Sequence, residues 1–211
     1  MNIITKIEVQ KRNKDRANIY IDNEYAFSLS NELVYKEGLK TNEKINIEEI
    51  QVIAKEDNYL KCKNTALRIV EKTFKSEKEL RDKLILKGYE NEEIDKTIKF
   101  LKKYSFISDD NYTKMYVKDK SRLQGKKKIK YDLMKKGISE NIIEEEISNI
   151  DRDDERETAY NLAIKKYNTI AKREDDKFKL SQKLYRYLLT KGYDYDTVSY
   201  AVKKVTTIDD I

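Results

Sequence analysis

The stretch Glu79–Leu101, ELRDKLILKGYENEEIDKTIKFL, contains a pattern that the chain repeats twice more. It reads as a short helix, a Lys-Gly pair and a second helix. The glycines of the three copies are Gly88, Gly137 and Gly192, at intervals of 49 and 55 residues. A period of this length is typical of proteins built from stacked helical units.

Fifteen positions aligned on these glycines are all aliphatic, in a chain that is only 38% hydrophobic. They stand eight and four residues before each glycine, and six, ten and thirteen residues after it. This spacing places the apolar side chains on one face of each helix. The first-helix positions and the glycines form the structural repeat motif: Leu80, Leu84, Gly88, Ile129, Leu133, Gly137, Leu184, Leu188 and Gly192.

The Lys-Gly pair has a physical role at the end of each first helix. Lysine in the last turn complements the helix dipole, and glycine adopts the left-handed conformation that ends the helix. A longer amphipathic helix precedes each pair, at about 58–73, 109–123 and 153–170, so the unit has three helices. Because so small a unit buries little surface alone, we predict an all-α tandem array of three three-helix repeats, elongated and curved.

The first residues have a different pattern, with alternating apolar and polar side chains that predict strands. RANIYIDNEYAFSL reads as a hairpin that turns at Asp22-Asn23. We therefore expect a small N-terminal extension that contains a β-hairpin and short helices over residues 1–57. The three repeats then occupy residues 58–108, 109–150 and 151–211.

Residue usage argues against catalysis. The chain has no histidine and one cysteine, so it lacks the commonest general base and a CxxC zinc pair. It also has no phosphate-binding glycine loop. Asp109-Asp110 and Asp153-Asp154 could hold Mg²⁺, but their places at helix starts favour capping. We expect no enzymatic activity, cofactor, metal site or small-molecule substrate.

The chain has no apolar run long enough to cross a membrane and no signal-peptide pattern at its start. The single Cys62 cannot form an internal disulfide, which fits a reducing compartment, and it reads as a small buried residue. We expect a cytoplasmic monomer.

Charge is uneven along the chain, whose formal net charge is +6. Residues 118–136, the central basic segment, hold nine basic and two acidic side chains. Such a segment could bind phosphates or an acidic protein surface, or could be a solvated helix face. The candidate partner-binding residues, with a weaker group in the third repeat, are Lys118, Lys120, Arg122, Lys126, Lys127, Lys128, Lys130, Lys135, Lys136, Lys183 and Arg186.

Three segments resemble the RecX family of bacterial regulators of the RecA recombinase: SEKELRDKLILKGY from residue 76, FISDDNYTKMYVKDK from residue 106 and IKYDLMKKGI from residue 129. The resemblance covers about residues 60–205 and leaves the strand-rich first 55 residues outside the common core. Ser105 stands where the family usually has glycine. The residues that match family motifs are Glu79, Leu80, Lys83, Leu84, Lys87, Gly88, Tyr89, Asp109, Ile129, Leu133, Lys136, Gly137 and Ile138.

The resemblance implies a non-enzymatic protein that binds RecA filaments on single-stranded DNA, in the filament groove. It implies inhibition of ATP hydrolysis, strand exchange and coprotease activity, through blocked filament growth or promoted disassembly. The implied context is homologous recombination, DNA repair and the SOS response. The alternative, from the same basic residues, is a single-stranded DNA-binding protein that competes with RecA without contacting it.

Overall fold

The computed structural model describes residues 2–11 and 13–208, which form four strands and ten helices. The strands are β1 (Asn2–Val9), β2 (Arg16–Ile21), β3 (Glu24–Ser30) and β4 (Lys44–Ile45). The helices are α1 (Asn31–Lys36), α2 (Ile47–Lys72), α3 (Glu77–Leu86), α4 (Asn91–Lys103), α5 (Asp109–Lys120), α6 (Lys126–Lys135), α7 (Glu140–Ser148), α8 (Arg152–Ile170), α9 (Lys177–Thr190) and α10 (Tyr195–Ile208).

The described residues divide into two compact units, and a short segment of the second unit interrupts the first unit in the sequence. The first unit comprises the chain up to Thr73 together with Leu80–Phe106. The second comprises Phe74–Glu79 together with the chain from Ile107 onward. The first turn of α3 therefore belongs to the second unit, while the rest of α3 belongs to the first.

The N-terminal strands form one antiparallel sheet in the order β3-β2-β1-β4. The predicted hairpin is confirmed, since Asp22 and Asn23 form its turn with φ values of 50° and 71°. Asparagine and aspartate are the residue types that best tolerate this conformation after glycine. Side chains from β1, β2 and β3 pack with apolar residues of α1 and α2 to form the core of this region. The two-residue strand β4 is an addition to the prediction.

Helix α2 is continuous for 26 residues and runs through the predicted boundary between residues 57 and 58. It begins after Asn46, whose side chain accepts a hydrogen bond from the backbone N–H of Glu48. No glycine or proline follows before its end, so no residue favours a break. Buried Arg16 of β2 donates hydrogen bonds to Asp57 and Asn58 in mid-helix. The sheet is thereby joined to α2 at the predicted boundary; the domain boundaries stay predictions.

The predicted three-helix repeats are confirmed by the burial of the aligned aliphatic positions. Fourteen of the fifteen are at most 7% exposed, and the remaining one, Ile150, is half-buried. Ser105 keeps the left-handed turn that glycine usually provides, with φ of 58°. Cys62 is fully buried, and its burial raises the pKa of the thiol. The elongated, curved shape of the array stays a prediction.

Helix α4 begins with a residue type that is uncommon at N-caps. The cap is Glu90, although the next residue, Asn91, is of a type favoured there. The Glu93 side chain accepts a hydrogen bond from the backbone N–H of Glu90, and the Glu90 side chain accepts one from the backbone N–H of Glu93. A reciprocal capping box of this kind satisfies two backbone donors at once. Asn91 is therefore the first residue inside the helix.

Candidate partner-binding surface

The central basic segment runs from the last turn of α5, through a short connection, to the end of α6. Five of its nine cations form ion pairs with carboxylates of the protein itself, and so does one of the two candidates in α9. These pairs are Lys120–Asp119, Lys126–Glu155, Lys128–Asp132, Lys130 with Glu140 and Glu144, Lys136–Glu79 and Lys183–Glu174. The positive charge available to a partner is therefore smaller than the sequence suggests.

Lys136 is held most tightly within the fold. Its Nζ lies 2.5 Å from Oε1 of Glu79 and 5.6 Å from the ring centroid of Tyr112. Burial by itself lowers the pKa of Lys136, but the hydrogen bonds to Glu79 and Tyr112 outweigh burial and raise it. Burial likewise opposes ionisation of Glu79, whereas the bonds from Lys136 and the Ser76 backbone lower its pKa below the ordinary value. This ion pair stabilises the fold.

Lys126 also has a structural role, at the first turn of α6. Its ammonium group donates to the carbonyl oxygen of Ile150 at 2.8 Å, and its backbone N–H donates to Oε1 of Glu155 at 3.0 Å. Glu155 is only 7% exposed. The carboxylate satisfies a helix N–H that has no partner within the helix. Replacing Lys126 would thus disturb the fold as well as remove a charge.

The glycine turns of the second and third repeats are contact points between neighbouring repeats. Oγ of Ser76, which precedes α3, donates to the carbonyl oxygen of Lys136 at 2.7 Å. The backbone N–H of Gly125, which precedes α6, donates to the carbonyl oxygen of Lys191 at 2.9 Å. At both places the positive end of one helix dipole meets the negative end of another. The structural motif therefore joins repeats as well as ending helices.

An acidic residue from the following repeat completes each of these contacts. Oδ1 of Asp109 accepts the backbone N–H of Glu77 at 2.9 Å, as Glu155 accepts that of Lys126. Asp109 was expected to cap its own helix; Ser108 does so instead, and Asp151 caps α8. The partners of these caps lie about thirty residues away in the chain, so periodicity could not identify them.

Five of the predicted cations have no ion-pair partner within residues 2–11 and 13–208: Lys118, Arg122, Lys127, Lys135 and Arg186. All five are exposed. Nζ of Lys135 lies 4.4 Å from the ring centroid of Tyr131. Nζ of Lys127 lies 5.8 Å from that of Tyr195. These cations remain available to an acidic partner.

Helix α6 exposes apolar side chains between two of these cations. Tyr131 is 52% exposed and Met134 is 51% exposed. They follow Lys127 by four and seven residues, and Lys135 follows it by eight, so all four share one helix face. We call Lys127, Tyr131, Met134 and Lys135 the α6 strip. Tyrosine and methionine are enriched at protein interfaces, and sequence reasoning from charge alone missed both.

A second group of cations, on α2 and around the end of α3, was also missed. Arg68 and Lys72 are four residues apart, as are Lys83 and Lys87, and the structure places all four around one groove. The spacing was available in the sequence. No local pattern indicates that the two pairs line the same groove.

Two features are absent from the described part of the chain. No group of three or more Cys, Asp or Glu side chains there is arranged to hold a metal ion. No helix there is long and apolar enough to span a membrane.

Four family descriptions match consecutive parts of the chain. Residues 2–46 match the regulatory protein RecX N-terminal domain. Residues 62–101, 108–146 and 153–202 match the first, second and third three-helix domains of RecX. The match at the N-terminus corrects the expectation that the first 55 residues fall outside the common core. The strand pattern that carries this match is short, and it lacks the repeated glycines that made the rest recognisable.

Full-length relatives and solved structures are similar to the chain over most of its length. It is 55% identical to the regulatory protein RecX of Clostridium beijerinckii, over 98% of this chain and 97% of that protein. It is 41% identical to that of Clostridioides difficile, over 100% and 99%. A crystal structure of regulatory protein RecX superposes with a TM-score of 0.66 at 27% identity, covering 94% and 98% of the two chains. The crystal structure of RecX from Lactobacillus salivarius superposes with a TM-score of 0.63 at 29% identity, covering 74% of this chain and 99% of that one.

Proposed function

Because the chain belongs to the RecX family, we propose that it is a non-enzymatic regulator of the RecA recombinase. The observation that carries this proposal is similarity to regulatory proteins over all four domains of the chain. The protein binds RecA filaments on single-stranded DNA, in the filament groove. It acts as a monomer in the cytoplasm, within homologous recombination, DNA repair and the SOS response.

The α6 strip is the part of the predicted surface that we assign to the filament. It combines two exposed cations that lack carboxylate partners in the described residues with an exposed tyrosine and an exposed methionine. A charged and partly apolar face of this kind suits a protein surface better than a bare phosphate chain. Binding there inhibits ATP hydrolysis, strand exchange and coprotease activity by blocking filament growth or promoting disassembly.

The test is the ATPase rate of RecA assembled beforehand on single-stranded DNA, with this protein added below the concentration of RecA. We expect the rate to fall at low ratios of this protein to RecA. An unchanged rate at saturating protein would overturn the proposal. A fall only when the protein is abundant enough to coat the DNA would favour the alternative, competition for the strand without contact with RecA.

A double variant assigns the effect to the α6 strip. Lys127→Gln/Lys135→Gln removes two charges that hold no carboxylate in the described residues, so thermal stability is retained while inhibition weakens by about tenfold or more. The matched control is Lys99→Gln/Lys103→Gln, two exposed lysines of α4. Equal inhibition by both variants would remove the α6 strip from the proposal. Lys126 and Lys136 are unsuitable for this test, because their loss would damage the fold.

A further inference from the structure

The first repeat contains a groove whose charge is not neutralised by the protein. We call it the repeat-1 groove: a pocket of about 420 Å³ lined by Thr65, Arg68, Ile69, Lys72, Thr73, Lys83 and Lys87. Four of its seven lining residues are cationic and none is acidic. All four cations are exposed, and none has an ion-pair partner within residues 2–11 and 13–208.

The other two repeats differ from the first at the equivalent positions, and the second repeat has carboxylates there. The residue equivalent to Lys83 in the second repeat is Asp132, which accepts from Nζ of Lys128 at 2.8 Å. The residue equivalent to Lys87 is Lys136, which pairs with Glu79. The first repeat therefore has cations without carboxylate partners at positions where the second repeat has ion pairs.

In the third repeat an aromatic ring occupies the place of Lys83. This residue is Tyr187, and the ammonium groups of Lys166 and Lys191 lie 5.4 and 5.6 Å from its ring centroid. Because tyrosine carries no positive charge, the third repeat lacks the cation that Lys83 supplies in the first repeat. The repeat motif thus does not by itself require a cationic groove, and the first repeat departs from the other two.

The arrangement of the four cations indicates the chemistry of a ligand. Arg68 and Lys72 lie one turn apart on α2, whereas Lys83 lies in the last turn of α3 and Lys87 directly follows the end of that helix. The pair on α2 spans about 6 Å along the helix axis, comparable with the separation of successive phosphates in an extended strand. The hydroxyls of Thr65 and Thr73 are already hydrogen-bonded within the protein, so the arginine and lysine groups, which are common phosphate contacts, supply the recognition.

We propose that the repeat-1 groove binds the phosphate backbone of single-stranded nucleic acid. One strand lies between α2 and α3, with successive phosphates contacting the two cation pairs. The neighbouring pocket along α2 shares Thr65 and Arg68 but also contains the carboxylates of Asp15 and Asp57, so the path for the strand ends at the repeat-1 groove. Because the cations contact phosphates and not bases, binding is independent of base sequence and strongly dependent on salt.

The test is fluorescence anisotropy of a labelled oligothymidylate with the full chain, at several salt concentrations. The groove variant is Arg68→Gln/Lys72→Gln/Lys83→Gln/Lys87→Gln. We expect its affinity to fall by about tenfold or more at low salt. The slope of log affinity against log salt should become shallower by about three, because each lost phosphate contact removes about 0.7.

The matched control removes the same charges from dispersed exposed positions: Lys99→Gln/Lys114→Gln/Arg173→Gln/Lys203→Gln. Its affinity should stay within about twofold of the parent. The slope of log affinity against log salt should also stay unchanged, because the phosphate contacts in the groove remain. No binding by the parent, no loss in the groove variant, or equal loss in both variants would overturn the proposal. Thermal melting checks that both variants fold.

Two further arms identify the ligand class. Polyglutamate that displaces the oligonucleotide as effectively as unlabelled oligothymidylate would overturn the proposal in favour of an acidic protein surface. Duplex DNA that binds as tightly as the single strand, with the same loss in the groove variant, would overturn the single-strand assignment. The proposal does not depend on RecA: loss of RecA inhibition with intact oligonucleotide binding would remove only the proposed regulatory function.

Discussion

The turns at Gly88 and Gly192 share the local sequence Lys-Gly-Tyr and nearly the same backbone, with φ of 83° and 87°. Their surroundings differ. A Cβ added to Gly192 would overlap the backbone nitrogen and Cβ of Lys128, whereas one added to Gly88 would meet nothing within 4 Å. The same local signal therefore ends a helix at one place, and ends a helix and joins two repeats at the other. A repeat pattern identifies the turn but leaves its contacts undetermined.

The most severe test of this comparison is to add a methyl group to each turn. Gly192→Ala combines left-handed strain of about 1–2 kcal/mol with overpacking of about 1–3 kcal/mol. We expect a loss of about 3 kcal/mol in the free energy of unfolding, measured by urea denaturation. Gly88→Ala carries the strain alone and should cost about 1–2 kcal/mol. Equal losses would mean that the close approach to Lys128 is unimportant.

The contact between the start of α3 and the Gly137 turn is a second place where a turn joins two repeats, and a smaller loss of stability is expected there. Ser76 is fully buried, forms a capping box with Glu79, and donates to the carbonyl oxygen of Lys136. Ser76→Ala should therefore lower the free energy of unfolding by about 1–2 kcal/mol in thermal or urea denaturation. Ser139 also stands at an N-cap, but its side chain forms no cap hydrogen bond. Ser139→Ala is the control, and a loss as large as that of Ser76→Ala would assign the effect to the cap position alone.

The smallest expected effect concerns the ion pair between Lys136 and Glu79 at this contact. Glu79→Gln keeps a side chain that can complete the capping box but removes the charge that holds Lys136. We expect a loss of about 0.5–1 kcal/mol at neutral pH, since both side chains are only 26% exposed.

The pH dependence of that loss follows from the pKa of Glu79. Its pKa in the folded protein lies below the ordinary value of 4.5, so its contribution is present above 4.5 and is lost as pH falls through the lower folded value. Denaturation curves of parent and Glu79→Gln should therefore converge under acid conditions. A constant difference at all pH values would assign the effect to the capping box instead of the charge.

Local sequence anticipated much of the fold, because local rules control it. Helical periodicity located the aliphatic residues that are buried in all three repeats, and Asp22-Asn23 marked the hairpin turn. Residue type alone would not place the N-cap of α4 at Glu90, because glutamate is a less common N-cap than the asparagine that follows it. Helix α2 is longer than the helix predicted at about 58–73, because no glycine or proline interrupts residues 47–72.

The candidate surface was less predictable than the fold. Charge density selected residues 118–136, and the structure leaves four of those nine cations without an ion pair in the described chain. The partners of Lys126 and Lys136 lie 29 and 57 residues away in sequence. No count of nearby charges could find such distant carboxylates.

The sequence by itself determined the number of repeats, their helices and the left-handed turns, because each depends on residues within a few positions of one another. The tertiary structure decided which turns join repeats, which lysines are neutralised and which cations face one groove. Those outcomes depend on contacts between residues distant in the chain, and the same Lys-Gly pair contributes differently once a neighbouring helix lies against it.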